Sequence, residues 1–186
     1  MRLFTAVLPP DHVVEDLDEF LAPRRDAADF RWSSSDGWHL TLAFMGEAPA
    51  RSLDDLVERL AAAVARRTSL TMRVAGGGAF PDPARARVLF AGLDTDEAEL
   101  ARLAEGARAA ASKAGAGVDG TRFHPHLTLA RLNRPREMTR WVRVLDAYAG
   151  PGWSVDEVAL VRSHLREGAR GRPRHEVLET FPLAGR

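Results

Sequence analysis

Two copies of one five-residue pattern carry the histidines and threonines of this sequence that are best suited to chemistry. His39-Leu40-Thr41-Leu42-Ala43 recurs as His126-Leu127-Thr128-Leu129-Ala130. Because side chains alternate between the two faces of an extended strand, the histidine and threonine of each copy share one face. The leucines share the other face. If the two strands come together, two imidazoles and two hydroxyls surround one point.

This combination of groups is suited to handling a phosphate. Two histidines can divide acid–base work, since one can take a proton from the nucleophile while the other gives a proton to the leaving group. Hydrolysis of a cyclic phosphodiester needs that division, because water attacks and a ribose alkoxide leaves the same phosphorus. Threonine hydroxyls can donate to the non-bridging oxygens, where charge rises in the transition state. The reaction then needs neither a metal nor another cofactor, and none is predicted.

Arg131 closes the longer segment that contains the second copy, Phe123 to Arg131. It stands five residues after His126, so strict alternation places its guanidinium on the opposite face of the strand. A bulge, or the end of the strand, would be needed to bring it to a phosphate. The corresponding residue of the first copy is Phe44, so the two copies differ at this position.

Hydrophobic periodicity and turn residues predict the elements that position these motifs. The main strands are predicted at residues 3–8, 38–44, 70–74, 87–91, 126–132, 155–165 and 175–181. Helices are predicted from Asp11 to Pro23, from Ser52 to about Arg67, from Thr95 to Gly115, and from Pro135 to Gly150-Pro151-Gly152. Gly76-Gly77-Gly78 lacks the lysine and the following helix of a nucleotide-phosphate loop, so it is predicted to be a turn.

The second motif begins 87 residues after the first (126 − 39), which is close to half the chain. Each motif strand is followed by a helix and then by a further strand. This order predicts an internal duplication with one motif in each half. We therefore expect one α+β domain, residues 1–186, made of two similar lobes that face each other, with one motif from each.

Composition narrows the classes of protein to which the chain can belong. The formal net charge is zero, which argues against a protein that coats nucleic acid through a broad basic surface. There is no cysteine, so thiol catalysis, disulfides and cysteine-based zinc sites are excluded. No stretch approaches the ~20 apolar residues of a membrane span, and the N-terminal apolar run is short for a signal peptide. We expect a cytoplasmic monomer without a membrane partner.

The motifs resemble the paired motifs of the two-histidine (2H) phosphoesterases. The match is closest to the RNA 2′,3′-cyclic phosphodiesterases of bacteria and archaea, also called 2′-5′ RNA ligases, and it extends along most of the chain. Further segments similar to that family lie at residues 1–6, 76–89, 160–165, 175–178 and 181–183. The resemblance implies a bilobed α+β fold of two pseudo-symmetric lobes, each with an antiparallel sheet and outer helices, and an active-site cleft between them. It also implies hydrolysis of 2′,3′-cyclic phosphate ends of RNA or nucleotides to 2′-phosphates.

The same resemblance implies roles for individual residues. His39 and His126 are the expected catalytic pair. Residues expected to bind the substrate phosphate are Thr41, Thr128 and Arg131. Phe80 is expected to contact the base. His175 departs from the family, which often carries tyrosine there, and no role is assigned to it.

Several alternatives stay open at this point. The same site could join RNA ends through a 2′-5′ bond, or the cleft could bind RNA ends without turnover. His124 and His126 form a His-x-His pair that could be half of a metal site, although no third ligand stands at a suitable spacing. The two motifs are equivalent by alternation alone, so which histidine is the acid and which the base is not assigned.

Overall fold

The structure, a computed structural model, describes residues 1–185, and Arg186, the last residue of the predicted domain, lies outside them. Within that range the strands are β1 (Leu3–Val7), β2 (Arg31–Trp32), β3 (Leu40–Glu47), β4 (Leu70–Phe80), β5 (Ala86–Thr95), β6 (Gly117–Val118), β7 (Leu127–Arg136), β8 (Ala149–Val155), β9 (Glu157–His164) and β10 (Arg174–Pro182). The helices are α1 (Asp11–Arg25), α2 (Leu53–Ala65), α3 (Glu97–Lys113) and α4 (Thr139–Asp146). None of these four helices is both long and apolar enough to cross a bilayer.

The sheet consists of two four-stranded antiparallel halves. Its order is β10-β9-β1-β3-β7-β5-β4-β8, and the short strands β2 and β6 add to β7 and β3. The halves are joined at β3 and β7, where a single pair of residues, Leu40 and Leu127, lies in register. Because one pair alone joins them, the halves form two lobes. The predicted α+β fold with two antiparallel lobes is confirmed.

Each lobe buries an apolar core beneath two helices. Helices α2 and α3 cover the first lobe, formed by β1, β3, β9 and β10, and apolar residues three or four apart supply their buried faces. Helices α1 and α4 cover the second lobe, formed by β4, β5, β7 and β8. Leu40 belongs to the first core and Leu127 to the second, each about 1% exposed. Burial of each leucine contributes about 2 kcal/mol, so both cores hold the junction in place.

The junction has the symmetry that a duplication would give. Leu40 and Leu127 are the second residues of their motifs, and β3 pairs with β1 as β7 pairs with β5. The two cores also exchange helices, because α1 follows β1 but packs on the second lobe, and α3 follows β5 but packs on the first. This arrangement supports the internal duplication, which stays a prediction.

Two predicted helix boundaries at proline are wrong. Helix α1 continues past Pro23 to Arg25, because a proline in the last turn removes a single backbone donor where the helix is already ending. Pro135 does not begin α4. It lies in β7, whose pairing with β5 extends to Arg136, and α4 begins at Thr139.

Two glycine-containing runs, one predicted to end the fourth helix and one predicted to be a turn, lie inside strands instead. Gly150-Pro151-Gly152 is part of β8, and the predicted turn Gly76-Gly77-Gly78 is part of β4. Gly76 has a φ of +70° at an irregularity in the pairing of β4, a conformation that glycine adopts without strain. A Cβ on Gly78 would lie 2.4 Å from Cζ of Phe90. Gly78 therefore lets the Phe90 ring pack directly on β4.

Candidate active site

The polar residues of the two motifs converge where the lobes meet. The leucines that follow the two histidines lie opposite each other in antiparallel register. Extending this register by one residue places His39 opposite Thr128. It also places Thr41 opposite His126. Opposed residues of an antiparallel pair share a face, so these four side chains lie together on the face directed away from the two cores.

A backbone carbonyl fixes the orientation of each imidazole. Nδ1 of His39 lies 2.8 Å from the carbonyl oxygen of Gly37, and Nδ1 of His126 lies 2.6 Å from that of His124. A carbonyl oxygen can only accept a hydrogen bond, so the proton of each neutral ring is assigned to Nδ1. Nε2 is then the free nitrogen of both rings. It can accept a proton when the ring is neutral and donate one when the ring is charged.

Aromatic rings of the first lobe hold His39 from two sides. Its imidazole stacks on Phe4 of β1, with ring centroids 4.6 Å apart and an interplanar angle of 27°. His175 of β10 meets His39 edge to face at 5.3 Å and also contacts Phe4 at 5.1 Å. Packing of this kind restricts the imidazole to one orientation, which a group that transfers a proton requires.

His126 lies against aromatic rings of the second lobe. Phe80 meets it edge to face at 4.9 Å, and Phe80 in turn stacks on Phe90 at 4.4 Å. Phe80 is partly buried, and its ring borders the cleft beside both His126 and His124. His124 is exposed, with its ring 6.2 Å from that of His126. Among residues 1–185, no group of three or more potential ligand side chains is arranged to hold a metal ion.

The surroundings of His39 favour its neutral form. Burial lowers its pKa from 6.5 to about 4, and the positive charges of His175, His126 and Arg131 act in the same direction. The hydrogen bond to the Gly37 carbonyl opposes this shift in part. His39 is therefore neutral at pH 7 in the free protein, with an unprotonated Nε2.

His126 is shifted in the same direction. Burial is the largest cause of its lowered pKa, followed by the charges of His124 and Arg131, while the hydrogen bond to the His124 carbonyl opposes them. Arg131 therefore acts electrostatically on both histidines of the pair. An anion bound between them would raise both pKa values, because an opposite charge favours the protonated ring.

A β-bulge brings Arg131 to the face of the cleft. In β7, Thr128 and Ala130 lie opposite neighbouring residues of β5, so Leu129 between them is an extra residue. The extra residue shifts the alternation by one position, and Leu129 and Ala130 are both buried. Arg131 consequently returns to the face that carries His126. This is the bulge that Arg131 needs if its guanidinium is to reach a phosphate beside His126.

The first lobe contains the matching bulge. In β3, Thr41 and Ala43 lie opposite neighbouring residues of β1, which makes Leu42 the extra residue. Phe44 is therefore brought to the cleft face at the position that Arg131 holds in the second lobe. The guanidinium of Arg2 lies 4.5 Å from the centroid of the Phe44 ring. The residue that follows the bulge is thus Arg131 in the second lobe and Phe44, with Arg2 against its ring, in the first lobe.

Known proteins resemble this chain in sequence and in fold. The sequence profile of the 2′-5′ RNA ligase superfamily matches residues 9–167. The chain belongs to this superfamily. The family resemblance predicted from the two motifs is confirmed.

Individual members of the superfamily match the chain along its whole length. The RNA 2′,3′-cyclic phosphodiesterase of Thermus thermophilus is 36% identical over 195 residues, which cover all of this chain and 91% of that protein. The one from Geobacillus stearothermophilus is 29% identical over 185 residues, which cover 98% of this chain but 57% of the relative. The crystal structure of Escherichia coli LigT complexed with 3′-AMP superposes with a TM-score of 0.79 at 28% identity, covering 98% and 97% of the two chains.

The sequence analysis did not identify two residues that contact His39, namely His175 and Phe4. His175 was assigned no role, yet its ring contacts both His39 and Phe4. A signal for His175 was present, because the resemblance already marks this position as one where the family often carries an aromatic residue. Phe4 reads as an ordinary apolar residue of a buried strand, and nothing in its local sequence distinguishes it.

The lowered pKa of His39 has a consequence for stability. The unfolded chain takes up a proton on His39 below about pH 6.5, whereas the folded protein does so only near pH 4. We expect the stability linked to His39 to be present above pH 6.5 and lost as the pH falls to 4, by on the order of 3 kcal/mol. Urea unfolding at pH 7, 5.5 and 4 measures this loss. A His39→Asn variant should lose less stability over that range, and an equal loss in both proteins would refute the linkage.

Proposed function

We propose that the protein is an RNA 2′,3′-cyclic phosphodiesterase that opens cyclic phosphate ends to 2′-phosphates by two-histidine acid–base catalysis. The observation that carries the proposal is the placement of His39 and His126 on one face of the lobe junction, each with Nδ1 bonded to a carbonyl and Nε2 free. The curated relatives named RNA 2′,3′-cyclic phosphodiesterase support the same activity.

The reaction divides into two proton transfers around one displacement at phosphorus. Nε2 of one neutral histidine takes a proton from water as the water oxygen attacks. The bond from phosphorus to the ribose 3′-oxygen breaks, and Nε2 of the other, protonated histidine gives a proton to that oxygen. The product carries a 2′-phosphate and a free 3′-hydroxyl. One histidine has gained a proton and the other has lost one, so exchange with solvent restores both.

The threonines and Arg131 are proposed to stabilise the charge that develops on the phosphate. Thr41 and Thr128 share the face of the histidines, where their hydroxyls can donate to the two non-bridging oxygens. Arg131 adds a full positive charge on the same face, and its planar guanidinium suits a phosphate. The bulge at Leu129 serves this arrangement, because without it the guanidinium would point away from the cleft.

Phe80 is proposed to contact the base of the terminal nucleotide. Its ring is partly buried and borders the cleft beside His126, and the stacked Phe90 ring supports it from behind. Aromatic rings in such positions offer a face on which any base can stack. The substrates implied by this site are RNA ends or nucleotides with a 2′,3′-cyclic phosphate, and such substrates fit the cytoplasmic location expected from the sequence.

The superfamily description also raises 2′-5′ joining of RNA ends as a second reaction. Joining uses the same two proton transfers, with the 5′-hydroxyl of a second RNA in place of water as the nucleophile and the ribose 3′-oxygen again as the leaving group. One neutral and one protonated Nε2 would serve both reactions equally. Supplying the protein with a cyclic-phosphate RNA and a second RNA with a free 5′-hydroxyl measures the ratio of joining to hydrolysis.

The experiment that tests the proposed hydrolysis uses 2′,3′-cyclic AMP and excess chelator. Phosphorus NMR should show conversion to the 2′-phosphate at the same rate with and without chelator. Formation of the 3′-phosphate would contradict the assigned leaving group. Loss of activity in chelator would favour a metal enzyme built on His124 and His126, and tight binding without turnover would favour a non-catalytic module that binds RNA ends.

A further inference from the structure

A groove of about 410 Å³ opens along β7 beyond the cleft, beside the short strand β2. The groove contains four arginines, one aspartate and an aromatic side wall, and we call it the arginine groove. These lining residues are Arg31, Arg131, Arg134, Arg136, Asp29 and Phe30. A volume of this size is sufficient for a nucleotide-sized group. Four guanidinium groups against one carboxylate give the groove a positive charge, although the whole chain is neutral.

Two of these arginines lie side by side without a counter-charge. Arg31 of β2 is directly opposite Arg131 of β7, so their side chains share a face of the sheet. Like charges in such a pair repel each other. Arg31, Arg131 and Arg134 are exposed, and among residues 1–185 none of them forms a salt bridge. An anion placed between them would relieve this repulsion.

Arg136 behaves differently from the other three. Its guanidinium lies 3.5 Å from the carboxylate of Asp29 and 5.0 Å from the centroid of the Phe30 ring. These contacts hold Arg136 against the wall of the groove. The positive charge that is left for a ligand therefore comes from Arg31, Arg131 and Arg134.

The arginine groove is continuous with the candidate active site. Arg131 lines the groove and, through the bulge in β7, also faces the cleft that contains His126. Its charge lowers the pKa of both His39 and His126, which places it within electrostatic reach of the reacting centre. Arg31 lies one strand further out on the same face. Arg131 and Arg31 thus extend the positive charge from the histidines into the groove.

The polarity of RNA decides what would occupy that groove. When the terminal ribose carries a 2′,3′-cyclic phosphate, the rest of the molecule lies on its 5′ side. Any phosphate in the groove would therefore belong to nucleotides upstream of the reacting end. We propose that the arginine groove binds upstream phosphates of single-stranded RNA, so that RNA ends are preferred over cyclic mononucleotides. This inference rests on the proposed function and names the substrate class that the site prefers.

The test compares kcat/KM for 2′,3′-cyclic AMP with that for a trinucleotide that ends in a 2′,3′-cyclic phosphate. Wild-type protein should prefer the trinucleotide at least tenfold. The double variant Arg31→Gln/Arg134→Gln should lose about tenfold on the trinucleotide and less than twofold on cyclic AMP. Two exposed arginines of the first lobe outside the groove provide a matched control, and Arg51→Gln/Arg66→Gln should leave both values unchanged.

Salt dependence provides a second readout. Each phosphate contact to single-stranded nucleic acid adds about 0.7 to the slope of log affinity against log salt. The slope for the trinucleotide should therefore be steeper than that for cyclic AMP in wild-type protein, and the difference should shrink in the double variant. Equal kcat/KM values and equal slopes for both substrates would contradict the proposal that the arginine groove binds RNA, while the proposed function would stand. No hydrolysis of either substrate by wild-type protein would overturn the proposed function, and the inference with it.

Discussion

Replacing either cleft histidine should reduce kcat on 2′,3′-cyclic AMP by about 10²- to 10⁴-fold. Each imidazole is proposed to carry one of the two proton transfers, and a positioned acid or base is typically worth that much. Asparagine is the most informative replacement at His39 and His126, because its amide can still donate to the Gly37 or His124 carbonyl that holds Nδ1. The replacement then removes Nε2 and little else. Steady-state hydrolysis followed by chromatography measures the loss.

A matched control separates the loss of Nε2 from a general effect of removing a histidine. His12 is an exposed histidine on α1, and His12→Asn should leave kcat unchanged. The double variant His39→Asn/His126→Asn should lose far less than the product of the single losses, since the two groups act on one transition state. Activity in either single variant within threefold of wild type would exclude that histidine from the chemistry.

Replacing either cleft threonine by valine should reduce kcat by about 10²- to 10³-fold. Valine has nearly the same shape as threonine but cannot donate a hydrogen bond, so Thr41→Val and Thr128→Val each remove one donor to a non-bridging oxygen. Losses of this size are typical when one donor to a developing oxyanion is removed. The loss should appear mainly in kcat, because the charge on those oxygens rises in the transition state.

Thr5 offers a control of the same chemistry at a position outside the cleft. It is fully buried in β1, and its hydroxyl makes no hydrogen bond to another described residue. It lies between Phe4 and Ala6, whose side chains face the other side of the strand. Thr5→Val should leave kcat unchanged and should not lower the free energy of unfolding. A loss of kcat in Thr5→Val equal to that in the cleft variants would mean that valine acts through packing.

Simple alternation was enough to predict that His39, Thr41, His126 and Thr128 share one face of the lobe junction. Each of the four lies one residue from Leu40 or Leu127, before the bulges begin, and the two leucines between them point into the cores. The two α+β lobes also followed from the repeat spacing, since each half of the sequence supplies a similar set of elements, whereas the antiparallel sheets followed from the family resemblance.

The position of Arg131 could not be obtained in this way. It depends on an extra residue at Leu129, and a bulge leaves no clear mark in a run of leucine and alanine. Two consecutive apolar residues, Leu129 and Ala130, are compatible with both a bulge and a fully buried strand. The equivalent bulge at Leu42 became visible only through the register between β1 and β3.

Contacts between distant parts of the chain account for the remaining differences between the sequence predictions and the structure. His175 contacts His39 because β10 lies in the same lobe as β1 and β3, separated from β1 by β9. Local sequence carries no information about that strand order. Gly76 to Gly78 were predicted to be a turn from their composition. Gly78 instead leaves room for the Phe90 ring on the neighbouring strand β5, which depends on a pairing that forms only in the folded protein.

The division of acid and base between the two histidines can be measured directly with one modified substrate. In a 2′,3′-cyclic nucleotide with sulfur at the 3′-bridging position, the leaving group is a thiolate, which departs without protonation because a thiol has a pKa of about 8.5. Relative to wild type, the variant that lacks the general acid should recover at least tenfold on this substrate, and the variant that lacks the base should not. Recovery in one of His39→Asn and His126→Asn alone is the predicted result. The same response in both variants, or no recovery in either, would contradict the two-histidine mechanism.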